Sequence, residues 1–209
     1  MRKIPLLHIS LSLALALFMA MMAGCAKRPQ WAQTNAPGGE TILSFAVSPG
    51  GPGGSKLFAG TGGGGVFLST DGGASWAPAG LKGEWVTALV ISGPNIIAGT
   101  GGSGVFLSTD DGANWTPAGL ANEWVTAFAV NGTHVFAGTW DGKGIFLSTD
   151  GGKNWAASNA GLPPEIKINA LAVGPGGEGG TKVYAGTYGE GVFLLKNDGT
   201  SWAAVNSGL

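Results

Sequence analysis

The sequence predicts an all-β fold made of four repeated units, each of four antiparallel strands. Three observations carry that prediction. The phrase V/I-F-L-S-T-D-x-G-x-x-W occurs at Val66 to Trp76, Val105 to Trp115 and Ile145 to Trp155, and a weaker copy runs from Val192 to Trp202. The closing tryptophans are 39, 40 and 47 residues apart, and self-similarity at that period marks repeated supersecondary units. The intervening segments are rich in Val, Ile, Phe and Thr and are punctuated by Gly, Pro, Asn and Asp, and none carries a helical period of adequate length.

The first 40 residues stand apart from the repeats. Met1-Arg2-Lys3 is a basic start, Ile4 to Met22 is apolar and uncharged, and Ala23-Gly24-Cys25 follows. That order fits a secretory signal over residues 1–24. The tetrad Met22-Ala-Gly-Cys25 resembles a bacterial lipobox, and the resemblance implies that Cys25 is lipidated and becomes the new N-terminus. An uncleaved membrane anchor is the competing reading, because the run is nearly long enough to span a bilayer. Cys25 is the only cysteine in the chain, which favours lipidation and leaves no disulfide, thiolate zinc site or cysteine nucleophile beyond it. Ala26, rather than Asp, follows the cysteine; by the same resemblance, an outer-membrane or cell-surface destination in a bacterial envelope is expected. Residues 25–40 read as a tether. Within it Trp31-Ala-Gln-Thr-Asn-Ala is similar to Trp155-Ala-Ala-Ser-Asn-Ala and Trp202-Ala-Ala-Val-Asn-Ser, as one stray strand of the repeat would be.

From residue 41 to 209 each unit offers four strands. The first strands are Thr41-Val47, Val86-Ile91, Val125-Val130 and Ile168-Val173. The second strands are Lys56-Thr61, Ile96-Thr100, His134-Thr139 and Lys182-Thr187, each ending in Ala-Gly-Thr. The third strands are the Phe-Leu runs, and the fourth begin near the motif tryptophans. Units of about 40 residues with four antiparallel strands match the blades of a β-propeller. The blades fall at about 41–80, 84–120, 123–162 and 165–209. A solenoid is the alternative, but tight hairpins build one twisted sheet per unit, and such sheets stack around an axis. Four blades are the low end for a propeller. The chain either closes as a four-blade ring, is truncated, or is a partial propeller completed by self-association as a homodimer.

The repeated phrase reads as a turn. Asp71, Asp110 and Asp150 lie where the third and fourth strands must reverse, and a carboxylate there accepts backbone N–H bonds two residues on. Gly73, Gly112 and Gly152 supply positive φ. Trp76, Trp115 and Trp155 cover the hairpin and pack toward a neighbouring unit. Asn197 and Trp202 take the same places in the last unit, and Asn makes the same local turn. The phrase Ser-Thr-Asp-x-Gly-x-x-Trp resembles the Asp-box, or bacterial neuraminidase repeat, of sialidases, xyloglucanases and photosystem II assembly-factor-like propellers. In that family the box is structural. One carboxylate per turn is also too few for calcium, which takes about 6 to 8 oxygens, so neither a metal nor a cofactor is expected.

Two glycine runs, Gly60 to Gly65 and Gly99 to Gly104, satisfy G-x-G-x-x-G. A dinucleotide fingerprint needs a helix after the run, whereas a strand follows here, so both read as hairpin loops. Antiparallel order puts these loops on the face opposite the Asp-box hairpins, together with the loops that join one unit to the next. Glu40, Glu84, Glu123 and Glu165 sit at matching places in the joining loops. Trp85 and Trp124 follow two of them, and Trp140, Asp141, Lys143, Tyr188 and Glu190 stand in the hairpin loops of the last two units. Glu84, Trp85, Glu123, Trp124, Trp140, Asp141, Tyr188 and Glu190 therefore form the candidate binding face, since aromatic rings beside acids suit sugars or protein surfaces. The competing reading packs Trp85 and Trp124 between blades and leaves the acids merely solvated. The Pro- and Gly-rich stretches 49–56 and 175–182 read as spacers.

Catalysis finds little support. The sialidase resemblance implies an arginine triad for the substrate carboxylate, because the planar guanidinium binds carboxylate bidentately. Arg2 and Arg28 are the only arginines, and both precede the repeats. A conventional sialidase is thus excluded. A xyloglucanase-like hydrolase would need paired acids, with Asp141 and Glu190 the best pair on neighbouring loops. Removing Arg2 and Lys3 leaves 9 basic against 12 acidic residues, and no basic stripe for nucleic acid appears. The expected function is a non-catalytic envelope platform for protein or glycan, with a glycoside hydrolase as the alternative.

Overall fold

A computed structural model describes residues 39–51, 54–176, 180–197 and 199–208. The signal segment, Cys25 and Trp31 lie outside the described residues. The described chain forms four sheets and no helix, so no helix there is long and apolar enough to cross a membrane. The first sheet is β1 (Ile42–Gly51), β2 (Gly54–Thr61), β3 (Val66–Ser69) and β4 (Ala77–Pro78). The second is β5 (Val86–Ser92), β6 (Asn95–Thr100), β7 (Val105–Ser108) and β8 (Thr116–Pro117). The third is β9 (Val125–Asn131), β10 (His134–Thr139), β11 (Ile145–Ser148) and β12 (Ala156–Ala157). The fourth is β13 (Ile168–Pro175), β14 (Thr181–Thr187), β15 (Val192–Leu195) and β16 (Trp202–Ala204). Strands within each sheet lie in chain order and pair antiparallel. These are four propeller blades. The first strands β1, β5, β9 and β13 pack successively on one another, and the fourth sheet does not close onto the first. Of the arrangements left open by the sequence, the closed four-blade ring is the one not found.

The core lies between blades. One buried cluster joins Phe58, Val66 and Ala79 of the first blade to Val86, Leu89 and Ile96 of the second. Equivalent clusters join the second blade to the third and the third to the fourth. The Ala-Gly-Thr ending of each second strand serves this packing. A Cβ on Gly60 would lie 2.7 Å from Val86 Cγ1, one on Gly99 2.6 Å from Val125 Cγ1, and one on Gly138 2.4 Å from Ile168 Cγ2. Only glycine lets the β-branched residue that opens the next blade approach so closely. The threonine locks the following loop: Thr61, Thr100, Thr139 and Thr187 each donate Oγ1–H to the carbonyl of the glycine that closes it.

The stretch 49–56 is not a loose spacer. β1 and β2 run into it, with Ser48 opposite Lys56 and Gly51 opposite Gly54. In the fourth blade Pro175 likewise pairs with Thr181. Gly54 enters the second strand at φ 86, a conformation that glycine adopts without steric cost.

Candidate functional site

The Asp-box hairpins form one end of each blade, and their polar groups are turned inward on the turn itself. Asp71 Oδ1 accepts from Ser75 N–H at 2.9 Å and from the Ser69 hydroxyl at 2.8 Å, while Ser69 Oγ accepts from Gly73 N–H at 2.8 Å. Asp110 and Asp150 repeat the pattern with Asn114 and Asn154 as the fourth-residue donors. The carboxylate therefore reaches four residues on, rather than two, and the motif serine is a second anchor that sequence reasoning did not weigh. Its signal was the invariant Ser two residues before each of the three aspartates. These hydrogen bonds hold Asp71 at about 2 and keep Asp110 and Asp150 below the ordinary carboxylate range, in each case first through the side chain at the fourth residue. Each of these carboxylates thus spends its first oxygen on the turn and receives one further side-chain donor on the second. Among the described residues no cluster of His, Cys, Asp or Glu suits a metal ion.

The opposite end carries the variable side chains. Gly62, Gly101, Trp140 and Tyr188 occupy one repeated position, since their N–H groups donate to Thr41, Trp85, Trp124 and Lys167 respectively at 2.9–3.0 Å. This register makes Lys167, not a tryptophan, the fourth-blade counterpart of Trp85 and Trp124. It also moves Glu165 out of the acidic series: Ile166, buried in the core, takes the place held by Glu40, Glu84 and Glu123. The connection into the fourth blade is longer, Ile166 lying 11 positions after Trp155 where Glu84 and Glu123 lie 8 after Trp76 and Trp115, and Glu165 keeps the positive φ that Gly39, Gly83 and Asn122 have at the same place.

Three arrangements result. Trp85 is 57% exposed and Trp124 38%. With Gly83, Glu84, Gly101 and Ser103 they line an open cleft of about 450 Å³, floored by backbone because Gly101 has no side chain. Trp140 meets Tyr188 edge to face at 5.3 Å between centroids, and Lys167 Nζ lies 5.3 Å from the Trp140 ring centroid. Tyr188 stays 65% exposed. Between these two groups, Asp141 accepts from Trp124 N–H at 2.5 Å. Glu123 is pushed up by burial first, then by the Asp141 charge and a hydrogen bond with that carboxyl, against a smaller opposing pull from Lys143. The structure thus brings Asp141 to Glu123. Glu190 stays with its own hairpin, where its N–H donates to Thr187 Oγ1 and its carbonyl accepts from Asn206.

The turn chemistry has a counterpart among known proteins. A family model of the BNR/Asp-box repeat matches residues 146–157. The third blade carries an Asp-box repeat. Among curated proteins none matches the chain. Solved structures share the propeller fold. The Niastella koreensis GH74 enzyme is 19% identical with a TM-score of 0.58, over 78% of this chain and 29% of its own. YCF48 from Cyanidioschyzon merolae is 18% identical with a TM-score of 0.61, over 84% of this chain and 59% of its own. A structure of YCF48 bound to D1 peptide is similar at 17% identity and a TM-score of 0.61, over 85% and 58%. The chain spans less than two thirds of the length of each of these proteins, and at such identity the likeness concerns the fold. Structures of this fold thus include a GH74 enzyme and a protein with a bound D1 peptide.

Proposed function

We propose that this Asp-box propeller is a non-catalytic binding platform, held on a bacterial envelope by lipidated Cys25, whose ligand face is the end opposite the Asp-boxes. The observation that carries the reading is the row of aromatic side chains presented there: Trp85 and Trp124 over a backbone floor, then Trp140 braced by Tyr188 and Lys167. Flat rings held by neighbours lose little entropy on binding and bury large area. Glu84, Glu123 and Asp141 beside them add hydrogen-bond acceptors for a polypeptide or for sugar hydroxyls. The YCF48 structure with a bound D1 peptide supports a polypeptide, and a glycan is the second ligand class that such a surface accommodates.

The hydrolase reading is weaker. Glycosidase carboxyls stand about 5 to 9.5 Å apart so that a glycosidic bond, and in inverting enzymes a water, fits between them. Glu123 and Asp141 hydrogen-bond each other, which leaves no such gap. The test is a pair of binding screens, a glycan array and pull-down from envelope extract, run with the wild-type protein and with Trp140→Ala and Tyr188→Ala. Ligand capture lost in both variants supports the platform. Release of reducing ends from a polysaccharide, abolished by Asp141→Asn, would replace it with the enzyme.

A further inference from the structure

Three times within the chain, one blade docks on the next through the same surfaces. The strand pairing fixes which residues are equivalent. Phe45, Leu89, Phe128 and Leu171 pair with the alanine of the second strand, and Val47, Ile91, Val130 and Val173 lie two residues on. In the second and third blades these positions face the preceding blade: Leu89 and Ile91 join the cluster with the first blade, Phe128 and Val130 that with the second. Among the described residues no blade precedes the first, and Phe45 is 60% and Val47 58% exposed against 8% for Leu89.

The far side of the fourth blade mirrors this. Ala172 holds the register position of Ala46, opposite the aromatic residue of the second strand, yet Ala46 is buried and Ala172 exposed. Val205 donates to the Val192 carbonyl as Ala79 donates to that of Val66, yet Ala79 is 8% exposed and Val205 41%. The glycine of Ala-Gly-Thr is the sharpest sign. Gly60, Gly99 and Gly138 are each filled to under 3 Å by Val86, Val125 and Ile168 of the following blade. Gly186 keeps the glycine but has only Ala170 near it, at 3.8 Å. The residue equivalent to Val86, Val125 and Ile168 is Ile42, each being the partner of the second-strand threonine. Gly186 is thus a vacant socket, and Ile42 of the first blade is the knob of matching shape.

We infer that two copies of this chain join head to tail, the first blade of each on the fourth blade of the other, into one closed ring of eight blades. The surfaces differ from each other and are complementary, so the contact is heterologous and must close by rotation or grow without limit. One chain does not close alone. Two give eight blades, the upper end of the common range, and three would exceed it.

The test is the number of protein chains per particle of the full-length protein in detergent, by light scattering with the detergent contribution subtracted. Two chains are expected. Gly186→Ala is the diagnostic variant: its φ lies outside the left-handed region and its Cβ meets only ordinary contacts within one chain, so each chain still folds, read as an unchanged circular dichroism spectrum, while the particle falls to one chain. Phe45→Asp is expected to do the same, and Phe45→Asp with Ala172→Lys to restore two. Wild-type particles of one chain, whatever covers Phe45 within them, overturn the inference, as do particles that grow beyond two, or a Gly186→Ala protein that stays paired. Because the readout is mass alone, it stands or falls apart from ligand binding.

Discussion

The indole N–H of Trp115 donates to the carbonyl oxygen of Ala79 in the preceding blade, 2.7 Å away. Trp202 makes the same bond to Ser158 at 2.8 Å. Trp155 packs its ring over Gly119 in the same manner, but its buried Nε1 finds no acceptor. In the last three blades the Asp-box tryptophan is therefore an inter-blade clamp, with an apolar part common to Trp115, Trp155 and Trp202 and a polar part that Trp115 and Trp202 complete.

Comparing two substitutions isolates that polar part. Trp115→Phe and Trp155→Phe remove the same ring volume, and only the first breaks a hydrogen bond. Trp115→Phe is expected to cost about 1 kcal/mol more than Trp155→Phe, the usual net worth of one such bond. Urea denaturation midpoints at neutral pH measure the difference. Equal costs would mean that the bond to Ala79 contributes nothing.

Ser148 offers a second test. Its hydroxyl is buried, donates to Asp150 and accepts from Gly152 N–H. Ser148→Ala leaves that N–H buried without a partner, and a loss of about 1–3 kcal/mol is expected. The fourth blade carries Leu195 at this place, so its turn already does without the hydroxyl. Leu195→Ser is expected to give no comparable gain, because Leu195 packs against the core cluster that contains Trp202.

Much of this architecture was legible in the sequence because repetition fixes it. The period, the four strands and the opposition of two loop ends all follow from local pattern and antiparallel order. Two features were not legible. The alignment of Glu165 with Glu84 and Glu123 failed because the longer connection between Trp155 and Lys167 shifts the register, and only backbone bonds such as Tyr188 N–H to the Lys167 carbonyl reveal it. The contact of Asp141 with Glu123, rather than with Glu190, depends on how two loops from different strands fold over one another. No spacing rule encodes that. The Asp-box aspartates were read as turn residues, and the bonds that Asp71, Asp110 and Asp150 accept lie within their own turns.

Those bonds make the fold sensitive to acid. Asp71 lies at about 2 in the folded chain against an ordinary 3.8, and Asp110 and Asp150 are lowered by the same kinds of bond. A carboxylate with a depressed value contributes its stabilisation in full above the ordinary value and loses it as pH falls through the folded one. The contribution of these three aspartates is thus expected to be level above about pH 4 and to fall toward pH 2. Asp71→Asn, which keeps an acceptor but cannot titrate, is expected to lessen the slope. Unfolding midpoints across that range supply the measurement, and an unchanged slope would locate the acid sensitivity elsewhere.

Glu123 has the opposite sign. Burial, then the charge of Asp141, then their shared hydrogen bond raise its value above the ordinary 4.5. The folded chain therefore holds this proton more tightly than the unfolded chain does, and stability declines as pH rises through the interval above 4.5. Glu123→Gln keeps a donor toward Asp141 and carries no charge. The variant is expected to match the wild type below that interval and to be the more stable protein above it. Asp141→Asn removes the neighbouring charge while leaving an oxygen to accept from Trp124 N–H, so it is expected to bring the Glu123 titration back toward its ordinary value. Carboxyl carbon shifts followed by NMR against pH read both effects directly. If Glu123 titrates at its ordinary value in the wild type, neither burial nor the neighbouring Asp141 carboxyl holds its proton.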